Sequence, residues 1–224
     1  MQLKYILAFI FLFTASIFND FPAQNISQSN LSNEEIEKRI DENSGNPNKM
    51  WELINFYISK SKKEQNNEAL FYAYRYASMA SDYPANIQYA DSALITAKKS
   101  DIRKILIDAY LNHGNINMAE EFYEKALDDI LVANKLSQEY GNEYIFNKTI
   151  YIMAQNKIYL GQYEDAKKEL LICLQFFKEN LHNKTSLGKN YEMYYVYSLM
   201  SLIDCNIKLE QFEENKALLK EAFG

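Results

Sequence analysis

Residues 106–127 read LIDAYLNHGNINMAEEFYEKAL, and a similar layout returns at residues 153–174 as MAQNKIYLGQYEDAKKELLICL. Aligned on Gly114 and Gly161, the two copies stand 47 residues apart (161 − 114 = 47). Each reads as a helix, a break at the glycine, a polar residue able to cap the next helix, and an apolar stripe at helical spacing. The stripe is Ile116, Ala119, Tyr123 and Ala126 in the first copy, and Tyr163, Ala166, Leu170 and Cys173 in the second. Small residues at Ala119, Ala126, Ala166 and Cys173 would let two helix backbones approach closely. A single helical hairpin cannot bury its own apolar face, so the copies are expected to stack.

The order of these residues resembles the tetratricopeptide repeat. Leu106, Tyr110, Gly114, Ala119, Tyr123 and Ala126 carry the likeness in the first copy, and Met153, Ala154, Gly161, Tyr163, Ala166 and Leu170 in the second, where Lys157 and Cys173 depart from the pattern. Weaker copies flank them: Ile87, Ala90, Leu94 and Ala97 upstream, then Phe212, Leu219 and Ala222 downstream, with Asn215 where a small alanine belongs. The resemblance implies an all-α, right-handed α-solenoid of about five helical hairpins over residues 34–224, with Ala90, Ala119 and Ala166 on one packed stripe.

Composition agrees with an all-α chain. Six glycines and three prolines in 224 residues are too few for a turn-rich β protein, and no strand-like alternation is sustained. A net charge of −6 argues against nucleic-acid binding through an extended basic face. The first residues, MQLKYILAFIFLFTASIF, have one lysine, Lys4, ahead of the apolar run Ile6–Ile17. That is the layout of a signal peptide, 1–23, followed by a polar tether, 24–33. The implied location is exported and periplasmic, with an inner-membrane anchor as the alternative. Membrane contact would then come through this signal or a further C-terminal helix. Cys173 and Cys205 are read as buried thiols rather than a bridge.

Taken in order, helices are expected from Glu34, from Asn46-Pro47, over Asn67–Asp82, from Asn86, from Asp101 to Gly114, over Asn115–Tyr140, over Glu143–Leu160, up to Asn180, from Tyr191 and from Gln211. Residues 181–190 form the most loop-like interior stretch. The terminal helix carries Leu218, Leu219, Ala222 and Phe223, an apolar edge suited to self-association.

Nothing in the pattern supports catalysis, a cofactor or a metal. His113 and His182 stand alone and read as surface residues, and Glu120, Glu121 and Glu124 as a solvated face. Recognition of a protein or peptide segment is the better-supported class, because stacked hairpins make a concave face from the first helix of each pair. The residues expected on it are Tyr72, Arg75 and Met79, then Lys104, Asp108 and Leu111, then Lys148, Tyr151, Gln155 and Tyr159, and finally Tyr197, Met200 and Asp204. Lys104 is followed four residues on by Asp108, not by the asparagine that a C-terminal-carboxylate clamp of such repeats needs, so that clamp is not expected.

A narrower likeness lies in YADSALITAKKSD (89–101), LVANKLSQEYGNEY (131–144) and YLGQYEDAKKELLICLQFFKEN (159–180). These stretches resemble the extracytoplasmic sensor half of membrane-bound AraC-type transcription regulators of Gram-negative bacteria. In that group a membrane helix and a helix-turn-helix DNA-binding domain follow the sensor; no later apolar run of ~18 residues occurs here. The likeness implies a sensor that passes on a binding signal, and the alternative is a stand-alone exported scaffold for envelope proteins.

Overall fold

The computed structural model describes residues 31–182 and 190–223, with side chains to residue 220. The expected signal peptide and residues 24–30 of the expected tether lie outside the described residues, as does most of the loop at 181–190. Ten helices follow one another: α1 (Asn33–Glu42), α2 (Pro47–Lys63), α3 (Asn67–Ala80), α4 (Ala85–Ala97), α5 (Arg103–Ala119), α6 (Tyr123–Tyr140), α7 (Glu143–Tyr159), α8 (Tyr163–Glu179), α9 (Tyr191–Lys208) and α10 (Phe212–Phe223). There is no strand among the described residues. Each helix packs on the next, while α3 also touches α5 and α7 touches α9. This is the stacked all-α solenoid that the repeat pattern implies.

Asparagine starts many of the helices. Asn46 caps α2 by accepting from the Lys49 N–H at 3.3 Å, with Pro47 in the first turn. Asn66, Asn142 and Asn190 do the same for α3, α7 and α9. The expected cap Asp101 does not act; α5 starts after Ile102 with no side-chain cap bond.

The repeat register differs from the one aligned on glycines. Gly114 does not end a helix but sits inside α5, buried, and the chain turns at Glu120–Phe122 instead. Four turns share one hydrogen-bond pattern, in which the N–H of the residue after the turn donates to the carbonyl five positions back: Asn66 to Ser61, Phe122 to Asn117, Gln162 to Lys157 and Gln211 to Asn206. Their central residues are left-handed: Gln65 (φ 52°), Glu121 (66°), Gly161 (73°) and Glu210 (60°). Glycine occupies only one of the four. The period from α5–α6 to α7–α8 is therefore 40 residues (161 − 121 = 40), and the next is 49 (210 − 161 = 49).

In this register the buried stripes align. Asn86, Ala90, Ala93 and Ala97 on α4 answer to Ala126, Ile130, Ala133 and Ser137 on α6, and to Ala166, Leu170, Cys173 and Phe177 on α8. Ala119, expected on that stripe, is exposed at the end of α5. Gly114 has a different purpose: a Cβ there would lie 3.0 Å from Ile130 Cγ1 and 3.3 Å from the Ala126 carbonyl, so its missing side chain lets α5 and α6 close together.

Buried apolar residues of α1 and α2, Ile36, Ile40, Leu53, Ile54 and Tyr57, are joined further along the described residues by three apolar clusters. One joins Phe71, Ala93, Leu94, Ala97, Ile105 and Ala109; another joins Ile107, Leu111, Ala126, Ile130, Ala133 and Ile152; the largest gathers Tyr144, Leu170, Phe177, Leu199 and Leu202 with Cys173 and Cys205. Both cysteines are buried and unbridged, as the repeat slot of Cys173 suggested, and burial pushes each thiol up to about 11.

Departures from the motif each have a partner. Lys157 bonds Glu169, Cys173 approaches the Ser198 hydroxyl at 3.4 Å, and Asn215 accepts from Asn206 at 2.9 Å. His113, expected on the surface, is instead buried between Asp91 and Asp129, while His182 is exposed. The C-terminal edge is mixed: Leu218 packs on the largest cluster and Leu219 is 43% exposed, while the side chains of Ala222 and Phe223 lie outside the described residues.

Candidate functional site

The first helices of the successive units, α3, α5, α7 and α9, bring a set of charges and tyrosines together. Lys104 and Asp108, one turn apart on α5, form an ion pair at 2.8 Å. Burial opposes the charge on Lys104, but Asp108 outweighs it and holds the ammonium above its usual range. Lys148 on α7 is pushed down by burial; the charge of Asp108 opposes this, and the cations Arg75 and Lys104 add to it. Tyr72 on α3 sits in the field of Lys104, Asp108 and Arg75. Five of the residues expected on the concave face, Tyr72, Arg75, Lys104, Asp108 and Lys148, thus share one electrostatic neighbourhood, spanning three helices.

Between α7 and α9 the first helices meet through aromatic side chains. Tyr151 on α7 meets Tyr194 edge-on at 5.5 Å and Tyr197 at 6.4 Å, both on α9. Its hydroxyl is hydrogen-bonded to Ser201, whose own hydroxyl accepts from Gln155 Nε2 at 2.5 Å. Burial is the main reason the Tyr151 and Tyr194 phenols are raised. Tyr151 also packs on two apolar clusters, so it belongs as much to the core as to the groove.

Other expected residues are placed differently. Tyr159 stacks flat on Tyr123 of α6 at 5.2 Å, which ties it to the neighbouring helix. Met200 is 62% exposed. It stands where Tyr151 stands one unit earlier (151 + 49 = 200), without another first helix packed over it among the described residues. Met79 is exposed, Leu111 is buried in the core, and Asp204 is exposed but acts on Tyr159.

Three contributors were not foreseen. The Tyr194 phenol, raised mainly by burial, feels the charges of both Arg75 on α3 and Asp108 on α5. Burial raises the Glu37 and Asp41 carboxyls on α1, and the charge of Arg75 opposes the rise in both. Glu37 accepts the Tyr57 hydroxyl at 2.6 Å, and Asp41 accepts that of Tyr76. Spacing within one helix could not show these residues, because they lie on different helices that come together only in the folded stack.

The fold is that of TPR-like repeat proteins. A Podosopora anserina kinesin light chain protein with nearly identical TPR-like repeats superposes with a TM-score of 0.62 at 13% identity, over 84% of this chain and 90% of that one. The apo form of RapI gives 0.62 at 14%, over 87% of this chain and 54% of that one. A Rap protein complexed with Competence and Sporulation Factor gives 0.62 at 14%, over 87% and 55%. This chain therefore spans about half the length of the two Rap structures. No family model matches the sequence, and no curated protein matches it. Among the described residues of this TPR-like chain, no group of His, Cys, Asp and Glu is placed to hold a metal, and no helix is long and apolar enough to cross a membrane.

Proposed function

We propose that this chain is an extracytoplasmic binding module, without catalytic activity, whose groove takes an extended protein or peptide segment. The observation that carries this reading is the convergence of Arg75, Lys104 and Lys148 with the Tyr151, Tyr194 and Tyr197 rings. Cations supply charge-assisted hydrogen bonds to acidic side chains, and tyrosines supply ring contacts. A Rap protein of similar fold, solved with Competence and Sporulation Factor bound, offers a structural analogy. We assign the module to the sensing part of a transcriptional signalling protein, on the sequence likeness to AraC-type sensors, and to the periplasm, on the Lys4 and Ile6–Ile17 layout.

The test is photo-crosslinking in the native host. A crosslinker at Tyr197 should capture a discrete partner in the envelope fraction, and one at Leu171, 47% exposed on α8, should not. Sequencing of the mature N-terminus should show removal of the first ~23 residues, a length within the range of secretory signals. Capture from neither position, or a chain still starting at Met1 in the cytoplasm, would defeat the reading.

A scaffold role is favoured by a different surface. Leu131 and Val132 on α6, and Leu171 and Ile172 on α8, are exposed at positions 40 residues apart and so recur on one outer side of the stack. Capture from Leu171 and not from Tyr197 would select this second reading.

A further inference from the structure

The turns that join first to second helices carry a row of rings belonging to none of the three apolar clusters. Tyr83, ahead of α4, and Phe122, ahead of α6, have ring centroids 6.3 Å apart and are 60% and 44% exposed. Tyr123 follows Phe122 directly and stacks on Tyr159 at 5.2 Å, which carries the row to the end of α7. The Asn86 amide donates to Glu120 Oε1 at 2.7 Å and so ties the first two turns together. The repeat pattern accounts for part of this row. Tyr83 and Tyr123 stand three residues before Asn86 and Ala126, as Tyr163 and Phe212 stand before Ala166 and Asn215. Phe122 is outside that pattern, since the equivalent residues one and two units on are Gln162 and Gln211. The exposed Tyr83–Phe122 pair is therefore not something the stacking of helices requires.

Charge decides what such a surface receives. Over residues 79–86 and 119–125 the charged side chains are Asp82, Glu120, Glu121, Glu124 and a single lysine, Lys125. Glu120 is held by Asn86, whereas Asp82, Glu121 and Glu124 are exposed and form no ion pair among the described residues. Ring faces are negative in potential, so rings and carboxylates at one edge both favour a cation. We propose that the Tyr83–Phe122 edge docks a basic segment of a partner protein, with an arginine lying over the rings and reaching the Asp82 and Glu121 carboxylates. A guanidinium stacks on aromatic faces and also bonds carboxylates through its fork of donors, and its methylene stem covers ring surface that faces water. An anionic phospholipid surface is disfavoured, because it would repel the same carboxylates.

The experiment titrates the full chain into short labelled Gly-Ser peptides bearing arginines, lysines, glutamates or no charge, read by fluorescence anisotropy. Arginine peptides should bind best, lysine peptides less well and the other two least, with affinity falling as salt rises. Tyr83→Ala and Phe122→Ala keep the net charge and should each weaken arginine binding about threefold to tenfold, while Phe122→Tyr retains it. Asp82→Asn combined with Glu121→Gln should weaken it and flatten the salt dependence. Both aromatic positions are exposed, so melts of the Ala variants should stay close to that of the native chain, which separates a lost surface from a lost fold. No preference for arginine over the uncharged peptide, or arginine binding unchanged in both Ala variants, would overturn the proposal. So would Phe122-dependent binding to phosphatidylglycerol vesicles, or a Phe122-dependent dimer of the chain, in the absence of arginine binding.

Discussion

His113 Nδ1 lies 2.6 Å from Asp129 Oδ2, linking α5 to α6 in the interior of the stack. The other ring nitrogen, Nε2, is 3.0 Å from Asp91 Oδ1 on α4, and Asn117 bonds the same Asp129 oxygen at 3.3 Å. With a carboxylate at each nitrogen, both N–H groups donate and the ring is an imidazolium. Burial opposes that charge, but the hydrogen bonds and charges of Asp129 and Asp91 outweigh it and raise the pKa.

The pH dependence follows from that direction. A folded value above the unfolded one, about 6.5, means the clamp contributes fully below that pH and is lost as pH rises through the folded value. Urea unfolding from pH 5.5 to 9 should show the native chain losing stability on the alkaline side relative to His113→Gln. Parallel curves would refute the charged clamp.

The two carboxylates should not be equal. Asp129 is 14% exposed in its side chain and Asp91 is 53% exposed. Asp129→Asn should cost about 3 kcal/mol, as when one partner of a buried pair is removed. Asp91→Asn should cost ~1 kcal/mol or less, being screened by water. Chemical denaturation of the two variants decides this.

Gly114 and Ala119 make a paired test of register. Gly114→Ala should destabilise by about 1–2 kcal/mol, because the crowding against Ile130 and the Ala126 carbonyl exceeds the ~1 kcal/mol that alanine gains in helix propensity. Ala119→Leu, at an exposed site, should change stability by about 0.5 kcal/mol at most. The alignment on glycines expects the opposite order, so thermal melts of both variants distinguish the two registers.

Glu121→Gly should raise stability, since an L-residue in the left-handed region costs roughly 1–2 kcal/mol and only part is offset by glycine's greater unfolded freedom. Gly161→Ala should do the reverse, although there is open space around that position, because φ is 73°. An unchanged melting temperature in both would show that the hydrogen bonds of the turn, rather than the backbone angle, set its stability.

Lys157 and Glu169 are 18% and 15% exposed in their side chains, and burial raises the Glu169 carboxyl while Lys157 opposes it. Lys157→Met alone should cost about 3 kcal/mol by leaving a buried carboxylate uncompensated. Adding Glu169→Leu should recover most of the loss, which a double-mutant cycle measures.

These pairs also show what the chain makes readable on its own. Helix starts at Asn46 and Gly141-Asn142 could be read because capping is local chemistry, carried by a side chain three residues from its donor. The turn at Glu121 could not, because three of the four equivalent turns use Gln or Glu where glycine is the usual cue, and the visible glycine nearby serves α5–α6 packing. Tyr194, Glu37 and Asp41 could not be read, because their ties to Arg75 and Asp108 run between helices far apart in the chain and helical spacing reports only one helix at a time.

The Asn206–Asn215 contact sets the order in which the stack opens. Where α6 and α8 bury alanine against the preceding helix, α10 buries an amide held by one partner at 2.9 Å and by the Ile203 carbonyl at 3.1 Å. A unit joined through polar bonds gains less from burial, so its local opening free energy is lower than that of the units packed through alanine. Amide protons of α9 and α10 should exchange before those of α5 to α8, making the C-terminal hairpin a latch that can release while the Arg75–Lys148 end stays folded.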